Sequence, residues 1–207
     1  MTGANWRMTV YDLAAGAHCT VAPGGNAFIY AAASGAVVSG RNVEPGQGAF
    51  AKGGAAVSAS GLTWIFEIAP GALPARRGEG LSPVLSRLTP FPDSHCMIRA
   101  DRVEAPAGAQ TPAHHHRGPG IRRLESGLLL AEVGDHLDRI EAGQAWFESG
   151  CETVVGLNIS GGVNAFIRVM VLPMALAGGE SSFVPATPDE AAKPRIVTLT
   201  LFGEQPI

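Results

Sequence analysis

"SGLLLAEVGDHLDRIEAGQAWFESG" (Ser126–Gly150) is the stretch that decides the fold. It reads as strand, turn, strand, turn, strand, with the first break at Val133-Gly134-Asp135. Similar short apolar runs recur along the chain: NAFIYAAA, AVVSG, LTWIFEIA, CMIRADRVEA and AFIRVMVLP. Strands this short, at this spacing, argue for a barrel or sandwich and against a βαβ fold.

Composition agrees. Hydrophobic residues make up 46% of the 207 and charged residues 16%, which describes a globular chain with a real core. The 27 glycines and 15 prolines follow no collagen-like period and fall between the apolar runs, as turns do. Few helices are expected. LSPVLSRLTP (Leu81–Pro90) reads as a short helix between two halves, and TPDEAAK (Thr187–Lys193) as another with Thr187 as its N-cap. The tail PRIVTLTLF alternates like a strand.

The net charge of −3 comes with no basic block or basic amphipathic segment, so neither nucleic acid nor a membrane surface is an expected partner. No apolar run approaches the ~20 residues that cross a bilayer, and the first residues show no signal peptide. Cys19, Cys96 and Cys151, an odd number without a pair motif, read as reduced thiols of a cytoplasmic protein.

The chain repeats itself. DLAAGAHCTVAP resembles VEAPAGAQTPAH, AASGAVVSG resembles LESGLLLAE, VEPGQGAF resembles IEAGQAWF, and WIFEIAP resembles IRVMVLP. The offset is 92 residues from Gly16 to Gly108 and from Gly35 to Gly127, 97 from Gly46 to Gly143, and 103 from Pro70 to Pro173. It only grows, at places where hairpins lengthen, so two tandem units of one architecture are expected. The division read from this is a first barrel over 1–75, a linker over 76–93, a second barrel over 94–175, and a tail over 176–207 whose strand packs on a barrel.

The second unit contains TPAHHHRGPGIRRLESG (Thr111–Gly127). Strand alternation puts His114 and His116 on one face and His115 on the other. Five residues separate Gly108 from the histidines and Gly127 closes the stretch; Gly143, Gly150 and Asn158 follow. This pattern resembles the two motifs of the cupin superfamily. The resemblance implies an all-β fold of two tandem double-stranded β-helix (jelly-roll) barrels, a bicupin whose first half is degenerate. It also implies His114 and His116 as ligands of a divalent metal (zinc, iron, manganese or nickel), and a small-molecule site at the barrel mouth, in a protein that commonly pairs as a homodimer. Two family ligands are missing: the glutamate falls on Gly120 and the third histidine on Val154. In the first unit the ligand positions map to Ala22, Gly24, Phe28 and Val57, which hold no metal.

Around the half-kept site, Arg122 faces inward in the cupin register and would attract a carboxylate or phosphate. Glu148 is the candidate general base, with Glu125 and His136 as further candidates to complete the site. Trp146 and Asn158 are candidate ligand contacts, Trp146 reading more readily as core. Two functions stay open: a divalent-metal-dependent enzyme of dioxygenase, lyase or isomerase type, and a non-catalytic module that binds or senses a small organic anion.

Overall fold

The glycines that align the two halves share one backbone geometry. Gly16 and Gly108 have φ of 77° and 72°, Gly35 and Gly127 87° and 84°, and Gly46 and Gly143 74° and 86°. These are left-handed turns that a side chain resists, so the repeat seen in sequence is a repeat of turns. The structure is a computed structural model that describes residues 5–91 and 95–207. It divides into two units, Met1–Phe91 and Pro92–Ile207. Residues 92 and 93, the end of the expected linker, lie outside the described residues.

The first unit contains β1 (Asn5–Leu13), β2 (His18–Thr20), β3 (Asn26–Ala31), β4 (Ala36–Val38), β5 (Arg41–Val43), β6 (Gly48–Lys52), β7 (Ala56–Ala59), β8 (Thr63–Pro70) and β9 (Leu81–Pro90). The second contains β10 (Cys96–Ala105), β11 (His114–His116), β12 (Gly120–Ser126), β13 (Leu128–Val133), β14 (His136–Glu141), β15 (Ala145–Glu148), β16 (Val154–Asn158), β17 (Asn164–Pro173), β18 (Phe183–Pro185) and β19 (Thr198–Pro206). One sheet runs β6-β3-β8-β1-β9 and its counterpart β15-β12-β17-β10-β19; the others run β2-β7-β4-β5 and β14-β13-β16-β11-β18. Strand for strand, the two units share one order. The second adds β18, on the far side of the histidine strand. Both are antiparallel jelly-roll barrels, as the sequence leads one to expect.

The first barrel is filled. Leu13, Ile29 and Ile65 of one sheet meet Val38, Val43 and Val57 of the other in one apolar cluster. Burial of such side chains stabilises by about 1.5–3 kcal/mol each. The mapping of the missing glutamate to Phe28 is corrected here. Strand pairing sets Ile29 opposite Ile65 and Ala27 opposite Ala51, matching Arg122 opposite Arg168 and Gly120 opposite Glu148. Ala27 is therefore the counterpart of Gly120. Phe28 lies on the other face of its sheet, against Phe50 and Phe66.

The expected helix at Leu81–Pro90 is instead the edge strand β9, paired along β1. The ladder slips between Val10 and Tyr11, whose partners are Leu85 and Pro83, leaving Val84 as a bulge. Proline is tolerated on an edge strand beside such a bulge, and ladder pairing overrides a weak helical pattern. The second helix does form, as α1 (Pro188–Ala191), and Thr187 Oγ1 accepts from the Glu190 amide at 3.2 Å. The tail strand β19 extends the second barrel along β10. Among the described residues no helix is long and apolar enough to cross a membrane, and all three cysteines are free.

Candidate functional site

The histidine run forms the whole of β11. It is held between β16, where His114 pairs with Val154, and β18, where His114 pairs with Pro185 and His116 with Phe183. Alternation does the sorting: His114 and His116 are buried, while His115 is half-buried on the opposite face. His114 and His116 line a cavity of about 80 Å³. One water takes about 10–15 Å³ on this measure, so the space holds roughly six small groups.

Both imidazoles are oriented from behind. His114 Nδ1 donates to the Pro112 carbonyl at 2.7 Å, since a carbonyl only accepts, leaving Nε2 as the bare acceptor. His116 Nδ1 lies 3.2 Å from Ser182 Oγ, which is also close to Met170 Sδ. A hydroxyl can accept from or donate to Nδ1, so this contact is open to either His116 tautomer. Burial lowers the pKa of both rings; at His116 the guanidiniums of Arg122 and Arg168 lower it further. Both are neutral. The His114 ring stacks on Phe183 at 4.3 Å and meets the His116 ring edge-on at 4.9 Å.

Arg122 enters from β12 and is 1% exposed. Its Nη1 donates to the Gly120 carbonyl at 2.6 Å, and its Nη2 lies 2.5 Å from Glu148 Oε2. The ion pair is close but not aligned as a hydrogen bond, so Nη2 and Oε2 both keep an unmet demand. Burial pulls the Arg122 pKa down to about 10 despite the pull of Glu148. Glu148 Oε1 accepts from Trp146 Nε1 at 2.9 Å, and Oε2 is 3.5 Å from His116 Nε2.

Of the residues singled out from sequence, His114, His116, Arg122, Trp146, Glu148 and Asn158 all line this cavity. Trp146 packs edge-on against Phe166 while holding Glu148, so it is core and site at once. The Asn158 amide donates to the carbonyls of Ala105, Pro106 and Gly162, and its Oδ1 accepts from Ser160. Its polar atoms are spent on holding the loop. Glu125 pairs with Arg102, and His136 lies exposed beside Asp135; neither lines the cavity.

Two cavity features escaped the sequence reading. Arg168 of β17 lines the cavity and makes two 2.9 Å bonds to the fully buried Asp101 of β10. Burial acts to lower its pKa, and the opposing charge of Asp101 raises it overall. Its signal was present: one arginine in the otherwise uncharged strand NAFIRVMVLP needs a buried partner. The second feature is the segment after α1, where Arg195, Ile196 and Val197 reach the cavity. The Arg195 guanidinium sits 4.1 Å over the Phe183 ring. No spacing in the sequence links these residues to the histidines.

Sequence comparison finds no matching family model and no matching curated protein. Solved structures do match. A cupin 2 conserved barrel domain protein from Leptotrichia buccalis aligns over 81% of this chain and 84% of its own, at 12% identity and a TM-score of 0.50. Salicylate 1,2-dioxygenase from Pseudaminobacter salicylatoxidans aligns over 96% and 75%, at 12% and 0.53. A single-substitution form of Bacillus subtilis oxalate decarboxylase aligns over 93% and 74%, at 11% and 0.58. The chain has the bicupin fold.

Within that fold the two barrels differ in charge at four matched positions. Where the second cupin barrel carries Arg122, Glu148, Arg168 and Asp101, strand pairing gives the first Ile29, Ala51, Ile65 and Tyr11. The first cupin barrel packs apolar side chains at most of these positions and keeps one buried carboxylate, Glu67, paired with Arg76; the second keeps a charged cavity. A Cβ on Gly120, the place of the missing cupin glutamate, would stand 2.7 Å from Arg122 Nη1. The guanidinium takes up room that a side chain on residue 120 would need.

Proposed function

We propose that the second barrel binds a small organic anion. The observation that carries this reading is the charge around the cavity: the guanidiniums of Arg122, Arg168 and Arg195 stand against two carboxylates, Glu148 and Asp101. A cation in such a site is stabilised by an opposite charge, and among the described residues this set leaves one cation without a carboxylate. The neutral imidazoles add acceptors without adding charge.

A resident divalent ion does not fit this arrangement. Catalytic sites of this kind keep three protein ligands, and among the described residues no three His, Cys, Asp or Glu side chains group to hold one. Glu148 is the nearest carboxylate, but its Oε2 already faces Arg122 at 2.5 Å. An ion shared by Glu148 and His116 would lie against a guanidinium.

The test is thermal unfolding of chelator-treated protein with short-chain carboxylates. A ligand at about 100 times its Kd contributes about 2.7 kcal/mol, which raises Tm by several degrees, and Arg122→Leu should abolish the rise. Divalent metal co-purifying at one equivalent, and lost in the His114→Ala, His116→Ala double variant, would overturn the reading in favour of a metal-dependent enzyme. So would a melting curve indifferent to every carboxylate.

A second reading, turnover of the bound anion, has its own observation: Glu148 Oε2 lies 3.5 Å from the neutral His116 ring within the cavity. Glu148 is placed to accept a proton from a bound substrate, in chemistry of isomerase or lyase type. Glu148→Gln then keeps binding and loses turnover.

A further inference from the structure

We infer that the ligand is a hydroxylated monocarboxylate, its carboxylate held by Arg195 and its hydroxyl by the floor at His114; this rests on the anion-binding reading above.

Charge sets the first half. Three guanidiniums serve the cavity: Arg122, Arg168 and Arg195. Arg122 is paired with Glu148 and Arg168 with Asp101. Arg195 has no carboxylate partner among the described residues, and its guanidinium rests on the Phe183 ring instead. An imidazole is largely uncharged at pH 7 even in water. The count leaves one positive charge, at the mouth, and one negative charge on the ligand balances it. A dianion would leave a second charge uncompensated beside Glu148.

Hydrogen-bond capacity sets the second half. The floor offers the Nε2 of His114, which only accepts because Nδ1 donates to the Pro112 carbonyl. A hydroxyl donates to it and can accept in turn. A bare alkyl group leaves it unmet, and a carboxylate there faces Glu148. Room for roughly six small groups suits a three- or four-carbon acid, and Val103, Ala105, Leu129 and Ala131 supply apolar wall for its carbons.

Position makes Arg195 a capture residue. It lies between α1 and β19, on a stretch without regular structure whose residues are largely exposed. Both ends are tied down: Glu190 Oε2 accepts from the Ala113 amide at 2.8 Å, and β19 pairs along β10. The stretch is a strap across the mouth, with its cation at the opening.

Calorimetric titration of chelator-treated protein with lactate, propionate and malonate tests this. Lactate should bind at least tenfold more tightly than propionate or malonate. Arg195→Gln should weaken lactate at least tenfold, with Arg195→Lys recovering most of it; the side chain is exposed, so both variants fold, which their unchanged Tm checks. Equal binding of lactate and propionate overturns the hydroxyl. Malonate binding as tightly as lactate, or Arg195→Gln leaving lactate unchanged, overturns the charge assignment. In those cases loss of binding in Arg122→Leu still upholds the anion site. If none of the three acids binds, both readings fall together.

Discussion

Arg122 and Arg168 are direct partners on neighbouring strands, yet each turns to a different carboxylate, Arg122 to Glu148 and Arg168 to Asp101. Two like charges side by side in a barrel are tolerable only on those terms. Asp101 is fully buried, with both oxygens on Arg168. Removing its charge strands a buried guanidinium, which costs about 3–5 kcal/mol. Asp101→Asn should therefore lose stability of that order in urea denaturation. Arg168→Met in the same chain should recover much of it, because the orphaned charge is gone.

The buried imidazoles make stability fall with acid. Both His114 and His116 have pKa values lowered by burial, so the unfolded chain takes up protons below about pH 6.5 while the folded chain does not. Stability is complete above that pH and is lost as pH falls, by up to about 1.4 kcal/mol per pH unit for each ring. His116→Gln removes one ring's share. Denaturation midpoints between about pH 5 and pH 7 should show a shallower slope in the variant than in the parent chain.

What the sequence made legible was local. Alternation separated His114 and His116 from His115, and the same period sent Arg122 inward. The glycine offsets marked equivalent turns because a positive φ leaves few residue choices. What stayed hidden was non-local. Asp101 and Arg168 are 67 positions apart and meet only through the β10–β17 ladder. Arg195 reaches the cavity through a strap with no periodicity. Leu81–Pro90 misled because its apolar spacing suits a helix as well as an edge strand, and only the partner β1 decides. The slip onto Phe28 has the same origin: an offset counted between turns need not hold inside the strand.

Gly120 is required by its neighbours and not by its own φ. A Cβ there would come within 2.7 Å of both Arg122 Nη1 and Met170 Cγ. Met170 is fully buried, and Nη1 is pinned on the Gly120 carbonyl. Gly120→Ala should therefore cost about 1–3 kcal/mol, the usual range for overpacking. It should also push the guanidinium out of place and weaken carboxylate binding. Urea denaturation and titration with lactate read the two effects separately; a variant of unchanged stability and unchanged affinity would show that Arg122 does not depend on this gap.

The first barrel carries no charge at the four positions that are charged in the second. Ile29, Ala51, Ile65 and Tyr11 stand where the second has Arg122, Glu148, Arg168 and Asp101. Replacing buried ion pairs by packed apolar groups is often neutral or stabilising, by about 1–4 kcal/mol, whereas breaking one pair is costly. The combined variant Arg122→Ile, Glu148→Ala, Arg168→Ile, Asp101→Tyr should accordingly be more stable than Asp101→Asn alone. Part of the gain is offset at Trp146, whose Nε1 loses its acceptor on Glu148 at about 1 kcal/mol. The same variant keeps Arg195 but loses the charged lining beneath the ligand, so lactate should bind at least tenfold more weakly. Denaturation and calorimetry on the one protein separate the roles. A stable, weakly binding barrel assigns the four charges to the ligand, and an unfolded one assigns them to the fold.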